Sequence, residues 1–199
     1  MGKGRFTKQI SGMIKIPPYQ FSVIIGLLLF DGWLTIASST KNNARLGFKQ
    51  FLVQGIYVCF VFNELFHYCS SYPNLTKGIR AEKPFYGLQF FTRSLPCFSY
   101  LHFLIYPKGI QLIPNNIYDN LTPVALAHLI LGDEKLSRHG LIICTDFYSV
   151  EDVVRLINVL IVRYRLECTI RYDRPLTNYL IWKEILLIIN SKSHLTPEG

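Results

Sequence analysis

The chain has 199 residues, half of them apolar, 14% aromatic and 17% charged, which supports a sizeable core and excludes disorder. Its 13 glycines and 5 cysteines exclude a collagen-like or disulfide-framework chain. The formal charge of +8 is one-sided: residues 1–114 carry 12 basic and 3 acidic side chains, residues 115–199 carry 9 and 10, and positive charge on a globular chain points to a polyanion, nucleic acid first.

The longest stretch without Asp, Glu, Lys or Arg is 16–30, 15 residues with Pro17 and Pro18 inside it. A membrane-spanning helix needs roughly 20 apolar residues, so none is expected. The same prolines and Asp31 interrupt any leader pattern behind Lys3, Arg5 and Lys8, so the N-terminus is read as part of the fold. Cys59, Cys69, Cys97, Cys144 and Cys168 form no C-x-x-C pair. Their apolar neighbours predict buried free thiols in a reducing compartment rather than a zinc site.

In chain order, residues 21–30 predict a helix with Gly32 as its C-cap after Asp31. Strands follow over 33–38 and 44–49 around the polar turn 39–43, with Arg45, Gly47 and Lys49 on one face and Ala44, Leu46 and Phe48 on the other. Residues 50–69 predict a helix, apolar all round and therefore deeply buried. A strand over 86–93 and a helix over 99–106 complete this part. The order then restarts. Thr122 caps and Pro123 opens a helix that ends at Gly132-Asp133-Glu134. A strand over 141–145 follows, then a capping box at Ser149–Asp152 for a helix reaching about 165. Strands over 167–172 and 179–182 precede a last helix beginning at 185–189. Helix, acid, hairpin, helix thus occurs twice, with Asp31 and Asp133 102 residues apart. The pattern predicts an internal duplication with halves 17–114 and 115–190, the second shortened.

Ile24-Ile25-Gly26-Leu27-Leu28-Leu29-Phe30-Asp31-Gly32 resembles the first signature helix of LAGLIDADG homing endonucleases, and Leu126-Ala127-His128-Leu129-Ile130-Leu131-Gly132-Asp133-Glu134 resembles the second. Residues 113–116, 121–127 and 145–153 are similar to that family's linker and second half, so the likeness runs from about 17 to 182. It implies an α+β fold of two pseudo-symmetric αββαββα halves in one monomer, with antiparallel β saddles and a central two-helix interface. The implied activity is that of an intron-encoded enzyme of a mitochondrion or other organelle, cutting both strands of a long DNA site with Mg²⁺.

The chemistry of such a helix pair follows from its residues. Close crossing needs small residues, and Gly26, Ala127 and Gly132 supply them. An acid at each helix end brings two carboxylates together, and they repel unless a cation lies between them. Asp31 and Asp133 are therefore the expected catalytic and metal-holding pair, and Mg²⁺ suits carboxylate, phosphate and water oxygens. A two-stranded ribbon fits the DNA major groove. Expected nucleic-acid contacts are Lys41, Asn42, Asn43, Arg45, Lys49, Gln89 and Arg93 in the first half. Lys135, Arg138, His139, Arg171 and Arg174 are those of the second. His128 is expected to pack at the helix interface.

Several residues depart from the family pattern. Glu134 and Phe30 replace small residues, Gln111 stands near a usual pocket lysine, and Asp146 adds negative charge. Phe30 threatens the close approach of the helices. With a second half of net charge −1, these changes predict that binding outlasts cleavage. They also raise an alternative: a catalytically inactive RNA-binding derivative, either a splicing maturase or a structural component of an organellar ribosome or ribonucleoprotein.

Overall fold

In the computed structural model, residues 6–36, 43–80, 83–132, 136–137, 140–145, 148–173 and 184–190 are described. Helix α1 (Lys8–Met13) precedes α2 (Pro18–Leu28), β1 (Gly32–Ile36), β2 (Ala44–Phe51), α3 (Gly55–Leu65), β3 (Asn74–Arg80), β4 (Lys83–Phe91) and α4 (Pro96–Ile105). After the short α5 (Ile117–Asn120) come α6 (Pro123–Gly132), β5 (Leu136–Ser137), β6 (Gly140–Cys144), α7 (Val150–Tyr164), β7 (Glu167–Asp173) and β8 (Glu184–Asn190). The fold is α+β. Two antiparallel four-stranded sheets have the same strand order, β1-β2-β4-β3 and β5-β6-β8-β7, and each follows one of the two signature helices.

Local chemistry accounts for the helix starts. Pro17 and Pro18 fix the extended entry to α2. The Thr122 hydroxyl accepts from the Ala125 N–H at 3.2 Å, and the Ser149 hydroxyl from the Asp152 N–H at 3.1 Å, so both expected N-caps form. Helix α7 stops where Arg165 adopts the left-handed conformation at φ 56°. The linker is pinned to α7 by Arg155, which donates to the Ile113 carbonyl and to Asp152, both at 2.6 Å.

The first sheet has one buried face. Leu34, Ala44, Leu46, Phe48 and Phe90 point into a core shared with α2, α3 and α4, and α2 packs along α6 through its centre. Arg45, Gly47 and Lys49 take the opposite face, as the alternation of β2 requires.

Several elements differ from the sequence-based expectation, the short α1, α5 and β5 among them. Gly32 is not a left-handed cap: α2 closes on Leu29 at φ −73°, and Gly32 begins β1. Glycine gives a close approach there, since a Cβ would lie 3.0 Å from the Leu27 backbone, a tight contact. The helix expected over 50–69 is cut to α3, because residues through Phe51 extend β2 and 3-10 turns flank the helix. Helix α3 is also one-sided: Val58, Val61, Phe62 and Leu65 face in, whereas Ile56, Cys59 and Phe60 are exposed. Cys59 is therefore a surface thiol, while Cys69 is buried and its thiol is pushed up to about 12 by desolvation, with the Arg93 charge opposing. Strand β3 was not anticipated; its exposed Leu75 and Ile79 alternate with polar residues and pair with β4. Finally, 185–189 is not a helix but lies in β8, between β6 and β7. A short apolar run carries no period that separates a central strand from a buried helix. The strand expected over 179–182 lies outside the described residues.

Candidate catalytic centre and nucleic-acid interface

The contact between α2 and α6 is close enough to need missing side chains. A Cβ on Gly26 would run into the Ala125 carbonyl oxygen and lie 2.7 Å from the His128 Cβ. A Cβ on Gly132 would lie 2.8 Å from Cδ1 of Phe30. Ala127, the third small residue expected there, is exposed. It follows Ala125 by two residues, about 200° around the helix, so it faces away from the crossing and Ala125 takes its place. His128 is buried at this crossing. It meets the Tyr57 hydroxyl at 2.9 Å through Nδ1 and stacks on Phe60 at 6.1 Å. Desolvation lowers its pKa, so it is neutral packing with a polar handle.

Asp31 follows α2 within three residues and is half-buried. The Gln50 side-chain amide donates to its Oδ2. Gln50 is only 8% exposed and sits on the core face of β2, where the alternation Ala44, Leu46, Phe48 calls for an apolar residue. That break in the pattern was the available signal for a buried partner of Asp31 that the sequence-based expectation did not include. Asp31, Lys49 and Gln50 line one cleft of about 190 Å³ with Phe51, Phe85 and Gly87. The Tyr57 hydroxyl has its pKa raised by burial and then by the negative charge of Asp31. The donors gathered here are hard oxygens and an amide, which suits a hard divalent cation better than a soft metal. Among the described residues no three His, Cys, Asp or Glu side chains converge. Asp133, Glu134 and Asp146 lie outside those residues.

The end of α2 is held from below by both halves of the chain. The Gln111 amide donates to the Leu28 carbonyl at 2.6 Å and to the Tyr148 hydroxyl at 3.0 Å, while its carbonyl accepts from Tyr106 at 3.0 Å. The Tyr148 hydroxyl also reaches the carbonyls of Leu28 and Leu29, at 3.3 and 3.2 Å. Gln111, noted in the sequence only for not being lysine, thus shares with Tyr148 the pairing of carbonyls at this helix end.

The expected nucleic-acid contacts divide. Arg45, Lys49 and Gln89 share the outer face of the first sheet, with Lys49 paired to Gln89 across β2 and β4. Asn43 is turned inward, its carbonyl accepting from the Ser99 hydroxyl at 3.3 Å. Arg93 lies beyond β4, with its guanidinium 4.5 Å from the Phe6 ring centre. Arg171 is in β7, paired with Leu186. Lys41, Asn42, Lys135, Arg138, His139 and Arg174 lie outside the described residues.

Residues 21–186 match the model of the LAGLIDADG DNA endonuclease family. The chain belongs to that family. Solved structures share its fold. The homing endonuclease I-WcaI bound to its DNA recognition sequence is similar over 94% of this chain and 84% of that one, with TM-score 0.77 and 20% identity. I-DmoI in complex with DNA and Mn is similar over 87% and 90%, with TM-score 0.53 and 14% identity. A LAGLIDADG chain is a DNA-binding endonuclease scaffold, and these matches lend nothing to the alternatives of a maturase or a ribosomal component. Among the described residues no helix is long and apolar enough to cross a membrane.

Proposed function

We propose that this chain is a homing endonuclease that lays its two sheets along a long double-stranded site and hydrolyses one phosphodiester bond in each strand. Asp31 and Asp133 are the paired catalytic carboxylates in this reading. The halves 17–114 and 115–190 each contribute one of them, and Mg²⁺ is the working cation. The supporting observation is the junction of α2 and α6: Phe30 and Gly132, the residues directly before the two acids, touch each other.

The division of labour follows from the cleft. The Gln50 amide orients the Asp31 carboxylate, and Lys49 brings positive charge to the place where a phosphate would lie. Asp31 and Asp133 would hold the divalent cation, which when bound supplies a polarised water and charge for the leaving oxygen. Lys41, Asn42, Arg45, Lys49 and Gln89 grip the first half-site, and Lys135, Arg138, His139, Arg171 and Arg174 the second. With fewer net positive charges, the second half contributes less salt-dependent affinity. The intron-encoded, organellar origin belongs to this reading too.

The test is selection of a bound duplex from a random pool, followed by incubation of a plasmid carrying it with Mg²⁺ or with a chelator. Linear product with Mg²⁺ alone is expected. An intact plasmid, bound but uncut, would overturn the enzymatic reading.

A further inference from the structure

The outer face of the first sheet is more aromatic than a surface built only to attract charge. Trp33 and Phe91 meet edge to face with ring centres 5.8 Å apart. Both lie over Gly47, where a Cβ would come 2.5 Å from the indole and 2.7 Å from the Phe91 ring. Phe51 and Phe85 form a second pair at 5.5 Å, and Phe85 lies over Gly78, where a Cβ would run into Cζ of the ring and stand 2.6 Å from its Cε1. Each pair carries a cation: the Arg45 guanidinium lies 4.1 Å from the Phe91 centroid, and the Lys49 ammonium 5.5 Å from that of Phe85. The glycines let the rings lie down on the sheet, and the cations occupy ring faces.

A ring with glycine beneath it and a cation on its face does not receive a stacked base on that face. What such a ring still offers is its edge, and beside Phe85 the ring of Phe51, which carries neither glycine nor cation among the described residues, is 41% exposed. In the major groove the apolar group on a base pair is the C5-methyl of thymine. Cross-strand pairing puts Trp33, Arg45, Lys49, Phe91 and Phe85 on one side of three neighbouring strands, so ring and cation alternate along the surface. We propose that the first sheet reads thymine methyl groups through Trp33, Phe91, Phe85 and Phe51, while Arg45 and Lys49, held against the rings, meet the flanking phosphates. The half-site under this sheet is then rich in A·T pairs. This rests on the duplex-DNA reading above.

The probe is a duplex selected by the full chain from a random pool in EDTA, resynthesised with deoxyuridine in place of thymidine in one half-site at a time. In the first half-site, each lost methyl is expected to weaken binding about three- to fivefold, the scale of one buried methyl group. Substitution in the other half-site has the smaller effect. W33A makes binding indifferent to some of those methyls. A wild-type protein that binds the duplex tightly and ignores the substitution overturns methyl reading and leaves the DNA reading standing. Tighter binding to single-stranded than to duplex competitors also overturns it. Failure to select any duplex overturns both.

Discussion

The ring of Phe30 rests against Gly132, Cδ1 lying 2.8 Å from where a Cβ on residue 132 would stand. A bulky residue before the first acid is thus met by the absence of a side chain before the second. The two helix ends still approach, so Phe30 is not the obstruction its size suggested.

Gly132→Ala should therefore destabilise the fold by about 1–3 kcal/mol, the usual cost of overpacking. Urea denaturation measures it. In a double-mutant cycle, Phe30→Leu should recover part of that loss, because the two residues share one contact. Additive losses would mean that the pair does not interact.

Gly26→Ala should do more damage. Its Cβ meets the Ala125 backbone carbonyl, which cannot swing aside as a side chain does. The expected loss is about 3 kcal/mol or more, at the upper end of overpacking. It reads out as a lower urea midpoint or as insoluble protein, while a substitution at exposed Ala127, such as Ala127→Ser, should stay within about 0.5 kcal/mol of wild type.

His128 couples the helix crossing to pH. Burial lowers its native pKa below the unfolded value near 6.5. The unfolded chain then binds more protons, so stability is complete above about pH 6.5 and is lost as pH falls toward the lowered native value. His128→Gln should flatten the acid limb of a plot of urea midpoint against pH. An unchanged acid limb would remove His128 as its cause.

Tyr148→Phe removes the hydroxyl that joins the second half to the end of α2. Gln111 keeps its bond to the Leu28 carbonyl but loses a partner. A cost of about 1–2 kcal/mol is expected in urea. Because Asp31 follows this helix end, cleavage should fall further than DNA affinity.

The fold was largely legible from the repeated order of helix, acid and hairpin, and from caps such as Thr122 and Ser149 whose chemistry is local. What was not legible depended on tertiary partners. Nothing in Ile185-Leu186-Leu187-Ile188-Ile189 announces a strand until β6 and β7 lie on either side of it. Ala127 was expected at the crossing, and Ala125 takes its place because the helix phase is set by where Gly26 lies. Of the proposed centre, Asp31 stood out in the sequence by its motif. Gln50 showed only as a polar break in an apolar alternation, and Gln111 and Tyr148 act through contacts with α2 from distant parts of the chain.

Strand-resolved nicking by two single-site variants, Asp31→Asn and Asp133→Asn, bears most directly on the idea of a shared centre. On a duplex labelled differently on each strand, with Mg²⁺ present, each change should suppress cutting by at least about a hundredfold, the scale of losing several kcal/mol of transition-state stabilisation. Filter binding should change by less than about twofold. Wild-type cutting by either variant, or equal collapse of cutting and binding, would contradict paired carboxylates at the meeting of α2 and α6.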